Sequence, residues 1–168
     1  LASHNFDMAA NWKFFIENHV DWLHLYYLHG ASLKNYNHDL GEITQHGPHW
    51  TSFERPKPGR EDQVNQRKEL MQPIEGLQPQ DTHLGAHLIF PNIALFTSPN
   101  TFTSVFARPT GPESCRVELR IQGVEGSDTE ALNADEFTEV MLEDRRAAEL
   151  LQLAVRSPAY TIGPMAMQ

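Results

Sequence analysis

The chain has 168 residues, 40% hydrophobic and 21% charged, a length that suits one domain with a substantial core. Its formal net charge of -9, without any Lys/Arg cluster, argues against a nucleic-acid partner. Cys115 is the only cysteine, which excludes an internal disulfide. No apolar run approaches the roughly 18 residues of a membrane span, and no basic-then-apolar signal segment opens the sequence. A soluble cytoplasmic protein is the expectation, with no membrane partner.

Residues from about 8 to 28 read as one helix, with Asp7 as N-cap and Gly30 as stop. Trp12, Phe14, Phe15, Ile16, Val20, Trp22, Leu23, Leu25, Tyr26, Tyr27 and Leu28 make it apolar on nearly every side, as a buried helix is. The chain opens abruptly, a few residues before this pattern, as an excised domain would. A loop rich in Asn, His, Asp and Gly runs to about residue 41, followed by strand-like runs at 42–46 and 49–54. Residues 55–80 are polar and proline-punctuated, with a short helix expected at 61–71; a connection this long suits a lid or insertion. Strands are expected at 83–90, 93–98, 101–108 and 115–122, separated by Pro/Gly/Asn turns. A last helix spans about 134–156 and ends at Ser157-Pro158. Helix, meander and long helix together predict an α+β fold with an antiparallel sheet.

Chemistry gathers at two places. Five of nine histidines fall in the first 38 residues: His4, His19, His24, His29 and His38. Glu17, Asp21 and His24, spaced four and three apart, would stack on one side of the first helix, with Asn18 beside them. Buried there, such groups need partners or a metal. His29 lies about 140° further round an ideal helix than His24, so the two imidazoles converge only if the helix ends or distorts between them. Taken alone, the pair reads more readily as satisfied core histidines, since a five-residue spacing is not the usual zinc pattern. On the last helix an apolar stripe steps through Phe137, Val140/Met141, position 144, Ala148, Leu151 and Val155. Asp144 occupies its middle, while Glu139, Glu143, Arg146 and Glu149 form a charged face directed elsewhere. A carboxylate on a buried stripe needs a cation or a set of hydrogen bonds. Two histidines and one such carboxylate are the ligand set of mononuclear non-haem Fe(II) oxygenases.

The run Asn11-Trp12-Lys13 … Glu17-Asn18-x-x-Asp21-x-x-His24-x-x-x-x-His29 resembles the catalytic-domain signature of Rieske-type ring-hydroxylating oxygenases, especially the phthalate- and vanillate-oxygenase-like groups. Ile89-Phe90-Pro91-Asn92, Arg108-Pro109-x-Gly111-Pro112-Glu113 and Glu143-Asp144-x4-Glu149-x2-Gln152, running on to Ser157-Pro158-Ala159-Tyr160, agree in family order. The resemblance implies a single catalytic domain over 1–168, of helix-grip fold, with an antiparallel sheet curled round the C-terminal helix and an apolar pocket between them. His24, His29 and Asp144 would hold Fe(II). Asp21 would match the bridging aspartate towards a neighbouring subunit's Rieske histidine, and Asn18 a polar position near the iron. Glu17 and Gln152 would support the site or the scaffold.

His19, Trp22, Tyr26 and Tyr27 line the pocket or belong to the core. His83 and His87 share one strand face, and His46 and His49 flank a Gly-Pro turn and are expected in solvent. A Rieske [2Fe-2S] centre needs C-x-H and C-x-x-H pairs, which a chain with one cysteine cannot supply. The Rieske domain is therefore expected on a separate domain or chain, and the family's usual continuation after Gly163-Pro164 is cut short. The implied activity is O2-dependent hydroxylation, dihydroxylation or demethylation of an aromatic or small apolar substrate. Its electrons would come from a Rieske domain, ferredoxin or reductase, and the family's trimeric assembly is the expected oligomer. Two alternatives stay open: a non-catalytic carrier of hydrophobic ligands on the same scaffold, and a zinc hydrolase with the same ligands.

Overall fold

The computed structural model describes residues 1–61, 74–76, 84–128 and 136–161. The short helix expected at 61–71, His83 and the stretch from residue 162 onwards lie outside the described residues. Seven strands form one antiparallel sheet in the order β1-β7-β6-β5-β4-β3-β2. They are β1 (Ala2–Met8), β2 (Tyr36–His46), β3 (His49–Pro56), β4 (Leu84–Ile89), β5 (Ile93–Thr97), β6 (Thr101–Gly111) and β7 (Ser114–Gly123). Among the described residues three helices accompany them: α1 (Trp12–Asn18), α2 (His24–Tyr27) and α3 (Glu136–Ala154). The α+β class with an antiparallel sheet and a C-terminal helix is as expected from the sequence. No helix among the described residues is long and apolar enough to cross a membrane.

β1 and β2 sit at opposite edges of the sheet, so the chain between them must travel from one edge to the other. That passage carries α1 and α2. The sheet face they share is set by alternation along each strand. Trp50, Ser52 and Glu54 on β3 lie beside Leu88, Ala86 and Leu84 on β4, and Ala86 and Leu88 lie beside Phe96 and Ala94 on β5. The core closes where Val105, Ala107, Val117 and Leu119 of this face meet Phe15 and Ile16 of α1 and Val140, Met141 and Ala148 of α3. The β2–β3 hairpin turns on Gly47-Pro48, with Gly47 at φ +60, a conformation that favours glycine.

The single helix expected over 8–28 does not form. Met8 and Asp7 belong to β1, which the sequence reading missed, and Asp7 bonds Arg116 of β7 instead of capping a helix. The N-cap is Asn11, whose Oδ1 accepts from the Lys13 amide at 3.0 Å. Helix is lost after Asn18 and does not resume until His24. There the Asp21 carboxylate accepts from the Leu23 amide at 3.0 Å, a local bond that competes with helical pairing. Helix resumes for one turn only. Its faces are not all buried: Leu23 and Tyr26 are exposed, and Tyr27 is 88% exposed. β2 begins at Tyr36, within the stretch expected to be a loop.

α3 lies close to its expected limits and ends before Ser157-Pro158. Its buried stripe, however, passes through Gln152 rather than Leu151, which is exposed. The Gln152 side chain accepts from the Asn11 amide at 2.9 Å and donates to Glu113 at 3.1 Å, tying α3 to the start of α1 and to the β6–β7 turn.

Candidate metal centre

Breaking the first helix has a direct consequence for chemistry. His24 opens α2 and His29 follows its end, and the two rings meet edge to face with centroids 4.9 Å apart. Asp144 reaches them from the middle of α3. The ligand atoms of His24, His29 and Asp144 all lie within 4.8 Å of one another. His24 Nε2 is 3.9 Å and His29 Nε2 2.9 Å from Asp144 Oδ1, and His29 and Asp144 are each 1% exposed.

Neighbouring groups fix which ring nitrogen faces inward. His24 Nδ1 donates to the Asp21 carbonyl, which can only accept. His29 Nδ1 donates to the Glu143 carboxylate at 2.7 Å, and Ser32 Oγ donates to the same oxygen at 2.6 Å. Each histidine therefore presents a bare Nε2 lone pair towards Asp144. Asn18 Nδ2 donates to Asp144 Oδ1 at 2.6 Å and orients that carboxylate.

The arrangement fits a cation. His29 Nε2 is buried and makes no hydrogen bond, although Asp144 Oδ1 stands 2.9 Å away. Two acceptors that close repel unless positive charge lies between them. Donors about 2.1 Å from an ion and at right angles to each other sit roughly 3 Å apart, which is the spacing of this pair. Electrostatics point the same way. Burial pulls the His29 pKa down, but the negative charges of Asp144 and Glu143 outweigh it and raise it, so the site favours positive charge beside this ring, which a bound cation would supply in place of a proton. Burial holds His24 below the ordinary value, which keeps its ring neutral.

The cluster opens into a pocket enclosing about 530 Å³, its open mouth included. The sheet wall is Trp50, Ser52, Glu54, Leu84, Ala86 and Phe96; Leu25, Leu33, Val140 and Met141 supply apolar surface opposite. His19 and Trp22 line it, whereas Tyr26 and Tyr27 do not. His19 Nδ1 donates to the Phe15 carbonyl at 2.7 Å, its Nε2 is sealed without a partner, and burial lowers its pKa. Glu17 is exposed and stands apart from the cluster. His87 points to the other face of the sheet, between Thr51 and Thr97, and His46 and His49 are exposed.

Three side chains went unassigned to the site by the sequence reading, one on α3 and a pair on the sheet. Glu143, assigned there to a face directed elsewhere, holds His29. His38 and Glu54, sixteen residues apart on β2 and β3, form a buried pair at 2.5 Å beside the pocket. Neither position carries a local signal, since partners over 100 residues away or across a strand pair leave no spacing to read.

The sequence matches the family described as ring hydroxylating alpha subunit (catalytic domain) over residues 1–168, and the chain belongs to that family. Its members are oxygenases, and membership gives the ligand-carrier alternative no support. No curated protein sequence matches the chain. Solved structures share its fold. One is the quaternary ammonium Rieske monooxygenase CntA of carnitine oxidation by gut microbiota, with TM-score 0.74 and 16% identity, covering 95% of this chain and 41% of that one. Dicamba monooxygenase bound to 3,6-dichlorosalicylic acid follows at TM-score 0.65 and 16% identity, with 99% and 53% covered. Naphthalene 1,2-dioxygenase from Rhodococcus sp. bound to indole gives 0.62 and 16%, with 94% and 44% covered. The chain thus spans about half or less of the length of these relatives.

Proposed function

We propose that His24, His29 and Asp144 hold a ferrous ion and that this chain is the oxygenating domain of a Rieske-type enzyme. The observation that carries the reading is the orphaned His29 Nε2, buried 2.9 Å from an acidic oxygen with which it makes no hydrogen bond. Two imidazoles and one carboxylate leave coordination positions free, the donor set of non-haem iron oxygenases. Bound there, ferrous iron supplies the oxygen chemistry for hydroxylating, dihydroxylating or demethylating an aromatic or small apolar substrate. The chain's own residues do the rest. The Asp21 carbonyl and Glu143 keep both rings in the tautomer that offers Nε2 inward, and Asn18 fixes the carboxylate rotamer. Trp50, Phe96 and Leu25 line an apolar space that excludes water beside the cluster.

Electrons come from a Rieske [2Fe-2S] centre outside these 168 residues, since a lone cysteine cannot ligate one. Asp21 is exposed, lines the pocket and touches His24 through its carbonyl, so it stands between the cluster and the surface where a neighbouring subunit's Rieske domain would dock. Transfer between subunits is described for CntA, and a trimer of this chain in the cytoplasm is the corresponding assembly. The sheet and α3, with the pocket between them, form the helix-grip.

Purified chain loaded with Fe(II), Zn2+ or Co2+ is expected to bind one equivalent of metal. Single His24→Ala, His29→Ala and Asp144→Ala variants should each lose most of it while keeping native circular dichroism. Full stoichiometric metal in all three variants refutes the assignment. The chain alone should show no NAD(P)H-driven turnover.

A further inference from the structure

Three carboxylates line the pocket, Asp21, Glu54 and Asp144, and no Lys or Arg does among the described residues. Each has a different employment. Asp144 belongs to the metal cluster, and Asp21 turns to the surface and caps the Leu23 amide. Glu54 remains. It projects from β3 on the pocket face of the sheet, shares that face with Trp50 and Ser52, and is 5% exposed. Its single hydrogen bond among the described residues comes from His38 Nδ1 at 2.5 Å.

The fold goes to some length to place this pair. Between Asn37 and Glu42 the β2 strand takes five steps against two on β3, Arg55 to Phe53, a bulge that redirects the strand around His38. The Trp22 indole N–H then donates to the His38 carbonyl at 2.8 Å, and the Tyr26 ring packs edge-on against the imidazole at 5.2 Å. His38 is itself 8% exposed. A buried carboxylate held by one neighbour retains acceptor capacity, since an ionised carboxylate offers about four lone-pair sites. Leaving that capacity unused beside apolar walls is costly.

We propose that Glu54, steadied by His38, is a specificity-determining residue that anchors a protonated amine of the substrate. This deepens the oxygenase reading and rests on it. The pocket is built for such a group: aromatic walls from Trp22, Trp50 and Phe96 take an apolar body, and Glu54 takes the ammonium. Apart from the metal itself, a ring bearing a carboxylate finds no Lys or Arg among the described lining residues to receive it, and meets a buried like charge that repels it. The pocket chemistry therefore parts company with substrates of the phthalate and vanillate type, although the sequence resembles the enzymes that take them.

Trp22 and Trp50 report occupancy through their fluorescence. The full chain, once loaded with Zn2+ and once stripped with chelator, is titrated with benzylamine, benzyl alcohol and benzoate, three probes with the same ring. A charge-assisted bond in a water-poor site is worth about tenfold to a hundredfold in affinity. Benzylamine should bind at least about tenfold more tightly than benzyl alcohol in both metal states, and benzoate most weakly in the stripped state. Glu54→Gln, which keeps a hydrogen-bond partner for His38, should abolish the preference for the amine and leave benzyl alcohol within about twofold. A purely structural Glu54 would shift all three probes together or none. The proposal is overturned if benzoate matches benzylamine in stripped protein, if Glu54→Gln leaves the preference intact, or if no probe binds. Metal stoichiometry is read on the same samples: one equivalent bound without the amine preference sinks this inference alone, and loss of metal binding sinks the oxygenase reading.

Discussion

Replacing Glu143 with glutamine removes a charge without removing an acceptor, which isolates what the carboxylate does behind His29. Its Oε2 receives His29 Nδ1 at 2.7 Å and Ser32 Oγ at 2.6 Å. The His29 side chain is 1% exposed and that of Glu143 27% exposed, so no water readily takes over the imidazole's partner, yet solvent screens part of the charge. Carboxylates that orient a metal-bound imidazole are worth about 10–100-fold in metal affinity. Partial exposure places this one in the lower half of that range, about 10–30-fold, or roughly 1.4–2 kcal/mol. Glu143→Ala should cost more, because His29 would lose its acceptor altogether and the tautomer presenting Nε2 would no longer be fixed. Ser32→Ala, which leaves the carboxylate in place, should change affinity by about twofold at most. Competition between the protein and a chromophoric chelator for Co2+ or Zn2+, near neutral pH, measures all three. Wild-type affinity in Glu143→Gln, or equal losses in Glu143→Gln and Ser32→Ala, would refute the claim that Glu143 acts on the metal through His29.

Gly41→Ala would place a Cβ 1.9 Å from the Trp22 ring; the overpacking should lower stability by about 1–3 kcal/mol in urea unfolding, and an unchanged midpoint would contradict the close approach. Burial pushes the Cys115 thiol up to about 11, so the native chain should resist iodoacetamide in mildly alkaline buffer and take up one equivalent only when unfolded. The Arg156 hydrogen bond holds the Glu113 carboxyl below its ordinary range. The stabilisation from a lowered carboxylate pKa is present above the ordinary glutamate value and is lost as pH falls through the folded value. The melting difference between wild type and Arg156→Ala should therefore be small, shrink with salt and disappear in acid; a difference independent of pH and salt would count against it.

How much of this was legible in the sequence depends on whether a signal was local. The strands from β3 to β7 and helix α3 announce themselves through alternation, turn residues and a helical stripe. Asp144 was legible because a carboxylate in the middle of an apolar stripe is a local anomaly. β1 was not. Its residues alternate weakly, and what makes them a strand is register with β7, from Ala2 opposite Ile121 to Met8 opposite Cys115, more than 100 residues away. The first helix misled for the opposite reason: its composition is helical almost throughout, and the interruption comes from short polar side chains at Asn18 and Asp21 bonding locally and to α3.

That interruption also explains why Glu143 was misplaced. On an intact helix His24 and His29 face about 140° apart, and only one could reach α3. With helix lost between Asn18 and His24, the buried His29 ring stands against the side of α3. Its two nitrogens then address adjacent residues, Nε2 facing Asp144 and Nδ1 bonding Glu143. Adjacent positions on a helix point about 100° apart, so a stripe centred on Asp144 left Glu143 on the charged face. A ring lying across the boundary takes a partner from each side of it. The same logic applies to His38 and Glu54, which only a strand bulge brings into register. A single sequence can thus show where a buried charge sits. Which neighbours hold its ligands in place is decided by where helices and strands break, and here those breaks are set by side chains whose partners lie elsewhere in the chain.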